Sequence, residues 1–192
     1  MIVESRKPKF LKYILLFGLV VASIAGLFYF FSGEKGPIYD FDPAKDTKPI
    51  LEIFDKDWYW LVANSREEYS PELMLKHRAH DPKNPSSFGK LTIKVARENG
   101  KLAGFAAYYK RRFYEGFFLY LAVAREFRGK KYGEKLARYV LKDLFAKGCN
   151  VIRLVTRTDN VKARKLYTKL GFNIYKQEPG FVYFEIKRRL NG

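Results

Sequence analysis

From Tyr13 to Phe31 the chain runs 19 residues, YILLFGLVVASIAGLFYFF, without a charged side chain. That run divides the sequence in two. As a helix it would be about 28 Å long, close to the hydrocarbon thickness of a bilayer. A cleaved leader would have a shorter apolar core followed by small residues, whereas Phe28, Tyr29, Phe30 and Phe31 close this one. The segment therefore reads as an uncleaved, single-pass transmembrane helix, with residues 1–12 as a basic tail carrying Arg6, Lys7, Lys9 and Lys12. Tyr13 and Tyr29 stand where interfacial aromatics belong. Gly18, Ala22 and Gly26 recur every four residues, the spacing that lets two spanning helices approach, so a homodimer is compatible with the sequence.

Residues 32–49, SGEKGPIYDFDPAKDTKP, are rich in Gly, Pro and Asp and show no apolar period, which predicts a linker. Residues 50–192 then make one domain of ordinary size. At 47% hydrophobic residues the chain can bury a core. Its single cysteine, Cys149, excludes an intramolecular disulfide framework and any metal site of several thiolates. The formal net charge is +17, and residues 100–192 alone hold 22 basic against 7 acidic side chains. Such a surplus selects an anionic partner by sign only; nucleic acid is not the expected one. His77, His80 and Asp81 lack a fourth ligand and read as a polar face, so no metal is expected.

The domain alternates strands and helices. Ile50 to Phe54 reads as a short strand, followed by helices over Asp55 to Tyr69 and from Ser70-Pro71 onward. Leu91 to Arg97 and Leu102 to Tyr109 flank Asn99-Gly100, a two-residue hairpin signal. Phe117 to Ala124 is a strand, Gly133 to Lys147 a helix closed by Gly148, Val151 to Thr156 a strand and Val161 to Leu170 a helix stopped by Gly171. Phe172 to Lys176 and Phe181 to Ile186 are strands joined through Pro179-Gly180. This order predicts an α/β fold with a mixed sheet and helices on its faces.

Between the strand at 117–124 and the helix at 133–147 lies Arg125-Glu126-Phe127-Arg128-Gly129-Lys130-Lys131-Tyr132-Gly133. A basic, glycine-bearing turn that opens a helix presents unpaired amides and the positive dipole end to an anion, usually phosphate. An ordinary basic turn has the same composition. Taken together, however, LYLAVAREFRGKKYGEKL, NVIRLVTRTDN and NVKARKLYTKLGF resemble the GNAT family of N-acetyltransferases. Its signature is Arg/Gln-x-x-Gly-x-Gly/Ala at the strand-to-helix turn, then Asn-x-x-Ala-x-x-x-Tyr-x-x-x-Gly-Phe. The close match covers residues 119–172, and the element order extends it over about 50–187.

The resemblance implies a GNAT-like acyl-CoA N-acyltransferase fold, with acetyl-CoA as cosubstrate and an amine-bearing acceptor. Arg128 and the amides of Gly129, Lys130, Lys131, Gly133 and Glu134 would cradle the pyrophosphate. The main chain of Leu121, Ala122 and Val123 would pair with the pantetheine arm, the Val123 amide facing the thioester oxygen, and Asn160 would position the following helix. Lys131 stands at the signature's first glycine, and a loop that keeps φ negative there would still serve. Tyr167 matches the general acid that protonates the departing thiolate; without the family, its apolar helix face reads as core. Glu115, ahead of the strand, and Tyr120, within it, are the candidate bases, with water as the other.

The resulting expectation is a membrane-anchored N-acetyltransferase. The alternative is a module of the same fold that has lost catalysis and docks an anionic lipid, RNA or protein. The side of the membrane is left open, because acetyl-CoA supply argues for the cytosol and the flanking charges lean weakly outward. Lys110-Arg111-Arg112 and Lys187-Arg188-Arg189 read as exposed strand ends able to touch anionic headgroups.

Overall fold

The computed structural model describes residues 38–62, 71–76 and 91–188, all within the compact unit Gly36–Gly192. The basic tail, the apolar run 13–31 with its small-residue stripe, and His77, His80 and Asp81 lie outside the described residues. Among the described residues no helix is long and apolar enough to cross a membrane.

The order is β1 (Ile38–Asp40), α1 (Pro43–Leu61), α2 (Pro71–Leu75), β2 (Thr92–Glu98), β3 (Lys101–Lys110), β4 (Glu115–Val123), a 3-10 turn (Arg125–Phe127), α3 (Tyr132–Ala146), β5 (Val151–Arg157), α4 (Val161–Lys169), β6 (Asn173–Glu178) and β7 (Phe181–Lys187). The alternation matches the sequence expectation, but its first strand does not. Ile50 to Phe54 lies inside α1, and the supposed linker holds β1 and the start of that helix. Asp42 caps α1 by accepting from the Ala44 amide at 3.0 Å, with Pro43 in the first turn. Ile50, Ile53 and Phe54 are buried at helical spacing. Five apolar-rich residues are too few to separate a period of two from one of 3.6, and Asp-Pro content resembled a loop.

The sheet order is β1-β2-β3-β4-β5-β7-β6, antiparallel except for the parallel pair β4/β5. Asn99 (φ 51°) and Gly100 (φ 76°) both take left-handed backbone in the β2–β3 hairpin, as a two-residue turn of the I′ kind requires. β3 is buried along nearly its whole length. On one face Leu136, Val140 and Leu144 of α3 pack with Ile152, Leu154, Tyr167 and Phe184. On the other, Ile50 and Phe54 of α1 cover Val95, Phe105 and Tyr120. Each such fully buried side chain contributes about 1.5–3 kcal/mol.

Candidate active site

The parallel pair at the centre of the sheet is paired at one end only. Glu115, Gly116 and Phe117 of β4 register with Val151, Ile152 and Arg153 of β5, and the ladder stops there. Leu119 is the reason on β4: Tyr108 pairs with Phe118 and Ala107 with Tyr120, leaving Leu119 as an extra residue. Such a bulge bends and further twists its strand. It also resets the faces, so that Phe118 packs toward α3 and α4 while Tyr120 and Ala122 pack toward α1. The Ala124 amide donates to Ala103 O at 3.0 Å on the β3 side. Because alternate residues of a strand address opposite neighbours, Leu121 and Val123 aim their amides into the opening beside β5.

The turn after β4 closes the mouth of this opening. Phe127 buries its ring and anchors the 3-10 turn. Gly129 follows with φ 84°, and Lys131 is left-handed, with φ 65° and ψ 12°. The condition under which a lysine here would leave the loop unchanged, a negative φ, is therefore not met. The lysine holds the conformation a glycine takes freely, at a cost of about 1–2 kcal/mol for an L-residue. Lys131 is the N-cap of α3 without a capping side chain, and the first amide bonded back is that of Lys135, to Lys131 O at 3.0 Å. Among the described residues the amides from Gly129 to Glu134 have no acceptor. Together with the helix dipole they make a cradle for an anion. Gly133 packs beneath it, its Cβ direction meeting Val123 Cγ2 at 3.5 Å and Leu166 Cδ2 at 3.8 Å.

The charged side chains around this cradle act as struts within the protein. Arg128 donates through Nε to Val123 O at 3.1 Å and pairs with Asp57 Oδ2, while Arg125 reaches Lys56 O at 2.8 Å and Asp57 Oδ1 at 3.3 Å. Asp57 is buried at a break in α1, with φ −127° and ψ 24°. Lys130 bonds Glu98 at 3.0 Å, and the Tyr132 hydroxyl donates to the same carboxylate at 3.0 Å. Lys130 and Tyr132 hold the Glu98 carboxyl below its ordinary range by hydrogen bonding. Glu134 joins Arg138 (2.8 Å) and Lys169 (2.7 Å), tying α3 to α4, and these two cations likewise lower its pKa. Asn160 caps α4 by accepting from the Ala163 amide at 3.2 Å. What remains for a ligand is main chain, and the Lys131 side chain, which has no partner among the described residues.

Tyr167, on α4, lies among Phe118, Phe172 and Phe184, with ring centroids 6.5, 5.8 and 5.8 Å away. Its hydroxyl has no hydrogen-bond partner among the described residues, and burial pushes its pKa up, keeping it protonated. This is where the comparisons with known proteins bear. A family model described as acetyltransferase (GNAT) family matches residues 47–172. The chain belongs to the acetyltransferase (GNAT) family. It is an acyltransferase by that membership. Its fold is similar to those of three solved structures. Ard1 from Thermoplasma volcanium is 25% identical, at TM-score 0.60 over 79% of this chain and 97% of that one. PaiA N-acetyltransferase from Thermoplasma acidophilum, in complex with coenzyme A, is 22% identical, at TM-score 0.65 over 80% and 99%. YncA from Salmonella typhimurium, with its cofactor acetyl-CoA, is 19% identical, at TM-score 0.62 over 80% and 94%. Among curated proteins no relative matches by sequence.

The strand edge left without a neighbour and the helix start with unbonded amides lie at the same end of β4. Glu115 is not brought to this cleft. It opens β4, eight residues and about 26 Å of strand before Val123, buried between Arg111 (3.5 Å) and Arg153 (3.6 Å). Its Oε1 has no hydrogen bond among the described residues. Cys149 is buried and its thiol pKa is raised by burial, as for a packed thiol. A cavity of about 600 Å³ lined by Phe145, Leu170, Gly171 and Glu185 lies at the C-terminal ends of α3 and α4, away from the turn. Asp57 was not found from sequence; its one signal was an acid set amid the aromatic end of α1.

Proposed function

We propose that this GNAT protein is a membrane-tethered N-acetyltransferase, anchored through residues 13–31 and transferring acetyl from acetyl-CoA to a primary amine by direct attack. The observation that carries the donor assignment is the opened β4/β5 pair ending in a helix start whose amides are unpaired. Acetyl-CoA supplies the activated acyl group. The amides from Gly129 to Glu134 bind its diphosphate, with the Lys131 ammonium as an added cation. The Leu121 and Val123 main chain holds the pantetheine arm, and an amide on that open edge donates to the oxygen that gains charge during attack. Arg128, through Asp57 and Val123 O, keeps the turn at the strand end.

Tyr167 holds its proton at neutral pH in an apolar enclosure and delivers it to the departing thiolate. The attacking amine needs to be neutral; Glu115 is spent on holding β4 to β5 and Tyr120 is buried against Phe54, so water takes the amine proton. The acceptor is a small molecule, a peptide amino terminus or a lysine. Two measurements test the proposal: heat of acetyl-CoA binding to the full chain, then acetylation across an amine library. Saturable binding with acetylated product supports it, and absence of binding contradicts it.

A further inference from the structure

The end of the sheet remote from the cofactor cleft carries a surface that the chemistry leaves unused. The loop between β3 and β4 is a tight turn closed by main-chain bonds, Arg111 N to Glu115 O at 2.8 Å and Arg112 N to Glu115 O at 3.3 Å. At its tip Phe113 is 94% exposed and Tyr114 52% exposed. A phenyl ring held almost wholly in water by its own backbone costs stability and covers no core.

Cations from three parts of the chain gather at this end of the sheet. Lys110 ends β3, and Arg111 and Arg112 belong to the loop. Tyr114 O accepts from the Asn150 amide at 2.7 Å, and Asn150 O from the Arg188 amide at 2.8 Å, so the first basic triplet meets Lys187 and Arg188 at one end. Lys110 Nζ donates to Lys147 O at 2.9 Å, and Arg188 to Phe145 O at 3.4 Å; these acceptors are carbonyls and leave the cationic charges in place. Arg112 is exposed and has no partner among the described residues. The acids nearby are covered, with Glu115 side chain 4%, Glu185 15% and Asp143 25% exposed. Lys147 pairs with Asp143 at 2.6 Å and Lys187 with Glu185 at 3.2 Å. Six cations therefore stand over three recessed carboxylates.

We infer that this tip docks on an anionic lipid surface, Phe113 entering the interface and the surrounding cations meeting headgroup phosphates. An aromatic ring rimmed by Lys and Arg matches the layering of that surface, apolar beneath and negative above. Nucleic acid would satisfy the cations, but two adjacent rings at one loop tip, Phe113 and Tyr114, make no extended platform on which successive bases stack. Docking here directs the cleft mouth away from the bilayer, because the two lie at opposite ends of β4. The inference stands whether or not residues 13–31 span, and whatever the acceptor amine.

The test places an environment-sensitive fluorophore on Phe113→Cys in the full chain, Cys149 being fully buried. The chain is reconstituted in phosphatidylcholine vesicles with and without phosphatidylglycerol. The expected result is a blue shift and quenching by lipid-borne nitroxide that appear with the anionic lipid and reverse with added salt. Arg112→Ala should weaken the engaged state about fivefold, the effect of roughly one headgroup-facing charge. Radical footprinting of Phe113 in the unlabelled chain guards against a label artefact and should show protection in the anionic vesicles alone. Equal emission and equal footprinting in both vesicles would overturn the inference, as would a response to RNA without one to lipid.

Discussion

Lys131 holds a left-handed backbone at the point where the cradle needs it, and this makes the residue's two contributions separable. Lys131→Gly removes the steric cost while adding chain entropy, and should stabilise the fold by about 0.5–1 kcal/mol. The same change should weaken acetyl-CoA binding through loss of the cation. Urea unfolding reads the first and calorimetry the second; a destabilised glycine variant would mean the lysine side chain is itself a support. Tyr167→Phe keeps the ring contacts with Phe118, Phe172 and Phe184 and removes one proton donor. Its expected signature is a fall in kcat of about 100-fold with little change in acetyl-CoA affinity, and unchanged turnover would take the acid role from Tyr167. The places of Gly133 in the first turn of α3, of Asn160 as the cap of α4 and of Tyr167 on the buried face of α4 were legible because each is local to one helix start or one helix face. Asp57 was not, since its partners Arg125 and Arg128 stand about seventy residues away in sequence and no local pattern announces such a pair.

At the scale of elements, the opening between β4 and β5 depends on close main-chain contact on the β3 side. A Cβ at Gly104 would meet Ala122 O at 2.5 Å, so Gly104→Ala has to displace β4 just before the turn. The expected cost is about 1–3 kcal/mol, with acetyl-CoA binding impaired as well; a variant of unchanged stability would show that β4 yields more easily than packed backbone should. The hairpin at Asn99-Gly100 and the helices α3 and α4 were readable because turn chemistry and a sustained period agree there. Ile50 to Phe54 misled because a short apolar run carries both periods, and the deciding cap, Asp42, lay in a stretch whose Pro and Asp resembled a linker. The bulge at Leu119, which opens the cleft, leaves no mark in the alternating run FFLYLAV.

For the molecule as a whole, the buried tyrosines set an alkaline limit. Burial is the leading cause that raises the pKa of Tyr108 and Tyr167. In the unfolded chain both ionise near pH 10. Above about that pH the unfolded state binds fewer protons than the native one, so stability is complete below it and falls as pH rises. Thermal unfolding followed from about pH 8 to 11 should show this decline, and Tyr167→Phe should lessen it; equal slopes for the two proteins would contradict a buried, neutral Tyr167. The basic surplus was readable as a number, but its placement was not. The fold carries part of it to the tip around Phe113 and spends Arg125, Arg128 and Lys130 on internal struts.

The central claim is that main-chain amides at the start of α3, with the open edge of β4, hold the donor's diphosphate and arm. Acetyl-CoA titration followed at individual backbone amides by NMR tests it most directly. Saturable shifts centred on Gly129 to Glu134, Leu121 and Val123 are predicted; shifts confined to another part of the surface, or none, would contradict it.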